Sequence, residues 1–138
     1  MKLGLWATVS FHRELHLMVW QPRGVLDEAH VDELILMIDE TERKANHPFN
    51  RYTDLSRLDA VDVSFDYVFR VALHRRVAYG ERPNVKSIFY VRNRETAGLA
   101  MTHMIVMGDS PIEVRIFNTK TAAAAWLDVP IEALQLSR

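Results

Sequence analysis

Apolar and polar residues alternate early in the chain: Leu15, Leu17 and Val19 fall on one side and His16, Met18 and Trp20 on the other, after an apolar run from Leu3 to Phe11. A period of two predicts two strands joined by a polar turn at His12 to Glu14, with Pro22 and Gly24 closing the second strand. The period then changes. Behind Asp27-Glu28, the residues Val31, Leu34, Ile35 and Ile38 recur at helical spacing, and Arg43-Lys44 end the run, so the charge at both ends suits the helix dipole. Asn46-His47-Pro48 stops that helix, and Arg51 to Ser56 predicts a central strand. A second helix opens at Asp62 or Ser64 and runs to about Tyr79, with Phe65, Val68, Phe69 and Ala72 as its buried stripe and Gly80 at the exit. Val85 to Val91 predicts a further strand. Asn93 to Met107 predicts a third helix, with Ala97, Ala100, Met101 and Met104 inward and Gly108-Asp109-Ser110-Pro111 as its stop. Ile112, Val114 and Ile116 form a fifth strand, and Asn118 or Thr119 caps a last helix through Leu127, ended by Pro130.

The predicted order is β-β-α-β-α-β-α-β-α. Right-handed crossovers turn it into an α/β domain: a mixed, mostly parallel five-stranded sheet with an antiparallel opening strand and about four helices. At 138 residues one domain spanning 1–138 is expected, and such a chain buries roughly 70% of its unfolded surface. With 49% hydrophobic and 25% charged residues, disorder is excluded. A net charge of −1 provides no global basic field, so no nucleic-acid partner is expected. The absence of cysteine excludes a disulfide framework, a thiolate nucleophile and Cys-ligated metal, and makes the cytoplasm the expected location. No 18 apolar residues run together, so no transmembrane segment is expected. No small-residue cleavage site precedes His12-Arg13-Glu14, which argues against a signal peptide.

Catalytic signatures are scarce. Asp27-Glu28-Ala29-His30 spells a helicase motif, but without a Gly-rich phosphate loop it reads as a helix start. The five glycines form no hydrolase, dinucleotide or nucleotide motif. His12, Glu14 and His16 would share one face of an extended strand, where two imidazoles and a carboxylate can hold a divalent metal, although a solvated turn needs the same residues. The expected reading is no metal and no cofactor, with a metal-dependent enzyme on these three residues as an alternative. Charge is uneven: Asp27 to Asn46 holds seven acids and two bases, whereas Glu81 alone opposes seven bases between Arg70 and Arg94. Arg70, His74 and Arg75 are candidates for an anion patch, facing a phosphate-bearing ligand or the acidic helix of another copy, with solvated helix ends as the plainer account. Met101, Met104 and Met107 give one helix a flexible apolar stripe, either plain core or an adaptable pocket or partner surface.

Two stretches carry a family resemblance. Asp54-Leu55-Ser56 closes a strand, and Asp62-Val63-Ser64 begins the next helix. Further on, Phe117 is followed by Ala122 to Ala125 and then Trp126-Leu127, an F-x-(4 to 8)-A-x-x-W-L ending. The chain resembles the STAS domain, specifically an uncharacterised SpoIIAA-like subgroup with Sec14-like lipid-carrier relatives. In regulatory members a D-x-S element and a D-S-S-like element occupy the first two positions, and a serine of the second is phosphorylated. The resemblance therefore implies a phosphoregulatory set of Ser64, Asp62, Asp54 and Ser56, with Val63 in place of the usual middle serine and Phe65 in place of a glycine. Ser64 near a helix N-terminus suits either a phosphate or an ordinary cap. The expected function is a non-enzymatic cytoplasmic binding or regulatory module, a homodimer engaging a protein partner or a small hydrophobic ligand. The alternative is a phosphoserine-switched interaction module like the anti-sigma-factor antagonists.

Overall fold

Each of the four α-helices begins on the kind of short polar side chain that the sequence places there. The computed structural model describes residues 4–79, 84–108 and 110–136; Leu3, Gly80, Glu81, Arg82 and Asp109 lie outside them. Helix α1 (Glu28–Ala45) is capped by Asp27, whose carboxylate accepts from the His30 amide at 2.9 Å. Helix α2 (Phe65–Tyr79) is capped by Ser64, whose hydroxyl accepts from the Tyr67 amide at 3.1 Å. Asn93 caps α3 (Arg94–Met107), and Thr119 caps α4 (Lys120–Leu127). Such caps each satisfy an amide that the first helical turn leaves without an internal partner. At the far end of α1, Asn46 takes φ 53° and returns its N–H to Arg43 and Glu42, which stops the helix before Pro48.

Seven strands are present among the described residues: β1 (Ala7–His12), β2 (Leu17–Pro22), β3 (Gly24–Asp27), β4 (Asn50–Asp54), β5 (Leu58–Asp62), β6 (Val85–Tyr90) and β7 (Ile112–Phe117). Five form the main sheet in the order β1-β2-β4-β6-β7. Strand β1 is antiparallel to β2 and the other pairings are parallel, so the α/β architecture is the one the periodicity predicts. Strands β3 and β5 were not expected. They pair in parallel as a separate two-stranded sheet, Gly24 opening β3 at φ 73°, a backbone region that glycine enters without a Cβ penalty. What reads as one loop between the central strand and α2 is therefore partly strand.

The register gives the sheet two distinct faces. Val19, Tyr52 and Ile88 lie side by side, and with Leu17 and Tyr90 they pack beneath Ala123, Ala124 and Leu127 of α4 and Ala133 and Leu134 beyond it. Alanines let α4 sit close to the sheet. Phe117 and Trp126 pack at this edge with ring centroids 6.0 Å apart, and Lys86 donates to the Trp126 carbonyl at 2.6 Å. The alanine-tryptophan ending is thus a packing device. The opposite face is covered by α1, α2 and α3.

Two helix stripes differ from expectation. On α2, Phe65 and Phe69 are 67% and 50% exposed, and with Leu73 and Val77 they make an outward row; the inward side carries Tyr67, Val68, Val71, Ala72 and Arg75. On α3, Ala97, Ala100 and Met104 turn inward as predicted, but Met101 is 47% exposed. A helix with apolar residues on more than one side has no unique inward face in its own sequence.

Candidate functional site

The helix-covered face of the sheet is unusual for the middle of a parallel sheet, where strands normally present apolar side chains on both faces. Arg51 of β4 and Ser87 of β6 are register partners, and Thr53 of β4 lies two residues on, beside Phe89. All three polar residues are buried. Above them the helices leave a cavity of ≈ 160 Å³, partly open to solvent. Its floor is Met18, Trp20, Arg51, Thr53, Ser87 and Phe89, with Ile112 at one edge. Its walls are Val31, Leu34, Ile35 and Ile38 of α1, Tyr67, Val68, Val71 and Arg75 of α2, and Thr96, Leu99, Ala100 and His103 of α3. Leu26 of β3 and Leu58 and Val61 of β5 close one end, which gives the small second sheet its place in the site.

The polar groups are held by specific bonds. Arg51 donates through Nη2 to both oxygens of Glu42 at 3.2 and 3.1 Å, and the Phe49 amide donates to Glu42 Oε2 at 2.7 Å, so both members of this ion pair are buried with hydrogen bonds around the acid. Arg75 donates to Asp39 Oδ1 at 2.6 Å; the arginine is buried while the aspartate side chain is half exposed. Trp20 Nε1 donates to Thr53 Oγ1 at 2.5 Å. The His103 ring meets Phe89 edge to face, centroids 5.5 Å apart. Burial, then the charges of Arg51 and Arg75, hold the His103 imidazole down to about 4, so it is neutral at physiological pH. The Tyr67 hydroxyl donates to Asp32 and lies 3.1 Å from the Glu28 carbonyl; burial first, then Asp32, raises its pKa and keeps the phenol protonated.

The residues singled out from sequence are mostly elsewhere. Met107 is fully buried and packs with Met104 against Ala72, Val85, Ile112 and Val114, while Met101 faces outward; none of the three lines the cavity. The α3 residues that do line it are Thr96, Leu99, Ala100 and His103. Arg75 is separated from the other two candidates, turning inward to Asp39, while Arg70 and His74 stay exposed one turn apart and Arg70 pairs with Asp66. The acid that Arg75 meets, Asp39, belongs to α1 of the same chain. Asp54 is buried and accepts from Gln21 Nε2 and from the Ser56 amide and hydroxyl, whereas Asp62 is exposed on β5 and Ser64 caps α2 and reaches Glu28 at 3.5 Å. Among the described residues the two elements share no hydrogen-bond partner. His12, Glu14 and His16 are not on one extended face, because Arg13–Leu15 form a 3-10 turn and His16 takes φ 48° with its ring 4.0 Å from His47. Among the described residues no group of three or more His, Cys, Asp or Glu side chains is placed to hold a metal.

Sequence reasoning missed Arg51, Thr53, Ser87 and His103. The signal was available in the strands: polar residues at positions of the two central strands that share a face, where the fold calls for apolar ones.

No family model and no curated protein matches the sequence. Among solved structures, an uncharacterised protein of the DUF3478 family with a SpoIIAA-like fold, from Shewanella loihica PV-4, aligns with a TM-score of 0.59 at 14% identity, over 92% of this chain and 98% of that one. The chain accordingly has a SpoIIAA-like fold, as its two motifs implied. No helix among the described residues is long and apolar enough to cross a membrane.

Proposed function

We propose that the protein is a non-enzymatic binding module that holds a small hydrophobic ligand in the cavity beneath α1, α2 and α3. The cavity itself carries this reading. Protein interiors pack like organic crystals and keep few voids larger than a water molecule. Here ≈ 160 Å³ stays unfilled by side chains behind an almost wholly apolar lining, which is the space a ligand would occupy. An apolar cavity of about 150 Å³ is large enough to admit benzene. Extra mass on cell-purified protein in a native spectrum, absent under denaturing conditions, is the expected result. Ala100→Phe projects a ring into the cavity and should abolish that mass. A bare chain under both conditions, together with no uptake of benzene or 1-hexanol, refutes the reading.

The outward row of α2 favours a second role in binding protein. Phe65, Phe69, Leu73 and Val77, four positions apart along α2, are all exposed, as are Met101 and Ile105 of α3, and exposed apolar residues in such a row favour a contact face. A second copy of the chain is the simplest partner, and light scattering of the wild type and Phe69→Ser measures it. A phosphoserine switch draws less support, because Ser64 Oγ already caps α2 and faces the Glu28 carboxylate, which repels an added phosphate.

A further inference from the structure

We propose that the ligand is an amphipathic anion, a compact monocarboxylate whose head sits against Arg51, Arg75 and His103 while its apolar body lies along α1 and α2. This rests on the cavity being a ligand site and specifies its chemistry. Most of the wall is apolar; of its other polar members, the Tyr67 hydroxyl is engaged by Asp32 and the Thr96 hydroxyl by Asn93, whereas Arg51 and Arg75 both lie within electrostatic reach of His103. This polar group draws on three separate elements, Arg51 from β4, Arg75 from α2 and His103 from α3, with Ser87 beside Arg51 on the floor.

The distribution of acids decides the sign. Both residues of the cavity lining that carry a full charge are arginines, and no aspartate or glutamate lines it among the described residues. Glu42 and Asp39, the counterions, both belong to α1 and meet the guanidiniums from outside the cavity wall. Asp39 is also half exposed, so water screens its charge more than that of the buried arginine. At His103 burial first, then the charges of Arg51 and Arg75, disfavour a proton, so both guanidiniums lie within electrostatic reach of the ring. A carboxylate placed against this polar group gains charge-assisted hydrogen bonds in a setting largely removed from water. A neutral alcohol of the same length gains ordinary hydrogen bonds, and an amine meets like charge.

Matched six-carbon probes suit a cavity of this size, and the test compares hexanoate, 1-hexanol and hexylamine by calorimetry at pH 7. Hexanoate should bind at least tenfold more tightly than 1-hexanol, with hexylamine weakest. Arg75→Gln should narrow the gap between acid and alcohol by weakening hexanoate more than 1-hexanol, and the fold should tolerate it because Asp39, half exposed, can be solvated alone. In the wild type the His103 ring proton resonances should move farther with hexanoate than with 1-hexanol, a readout that needs no variant to fold. Equal or weaker binding of hexanoate while 1-hexanol binds overturns the anion proposal and leaves the hydrophobic-ligand reading standing. Failure of all three probes overturns both. A hexanoate preference that survives in folded Arg75→Gln, with unmoved His103 resonances, overturns the placement of the head group.

Discussion

Acidification from pH 7 to pH 4 should destabilise this protein through one partly buried imidazole. His103 stands between Arg51, Arg75 and the ring of Phe89, and its pKa falls from 6.5 in a free chain to about 4 in the fold. Between those values the unfolded chain binds a proton that the native state refuses, and stability falls wherever the unfolded state binds more protons as pH drops. At 1.36 kcal/mol per pKa unit, a depression of roughly 2.5 units removes about 3 kcal/mol. The loss begins near pH 6.5, grows down to about pH 4 and is constant below, where both states are protonated. Against a typical domain stability of about 5–15 kcal/mol, that is a large share. Urea unfolding at pH 7, 6, 5 and 4 measures it, with His103→Gln as reference. The variant carries its own constant offset, and the other titrating groups are common to both chains, so the pH slope of the difference isolates His103. A difference that stays flat between pH 7 and pH 4.5 would refute the reasoning and place His103 in contact with water.

Glu42→Ala removes the acceptor of both the Arg51 guanidinium and the Phe49 amide, and should cost about 3–5 kcal/mol because a buried charge loses its counterion; a loss below 1 kcal/mol in urea unfolding would sink this account. Ser64→Ala should cost about 1 kcal/mol through the lost α2 cap, and Ser64→Asp should restore most of it because a carboxylate caps as well; equal stability of the alanine variant and wild type would count against the cap. Leu127→Ala should cost about 2–5 kcal/mol in the core beneath α4, whereas Phe69→Ser on the outward row should change monomer stability by less than about 0.5 kcal/mol. Paired thermal melts of those two variants give the comparison, and a similar loss for both would mean that the α2 face is covered in solution.

Periodicity and end signals were enough for the main elements, because alternation, helical spacing and capping side chains act over a few residues. Asp27, Ser64, Asn93 and Thr119 each start their helix by a bond no more than three positions away. The parallel sheet then follows from the order of those elements and the handedness of their crossovers. The two-stranded sheet was hidden because Leu58 to Asp62 is short, charged and mostly exposed, and such a strand exists through its partner Gly24–Asp27. The inward faces of α2 and α3 were equally illegible, since Phe65, Phe69 and Met101 satisfy a helical pattern as well as the residues that turned inward.

The chain's own sequence determined the fold class, the helix limits and the absence of cysteine chemistry, all properties of local pattern and composition. Tertiary structure decided the site. Arg51, Ser87, Arg75 and His103 are separated by up to fifty-two positions, and only the parallel register and the packing of three helices bring them to one cavity. A polar residue in a strand records that it departs from the pattern; whether it meets water, a counterion or a ligand depends on what the rest of the chain places above it.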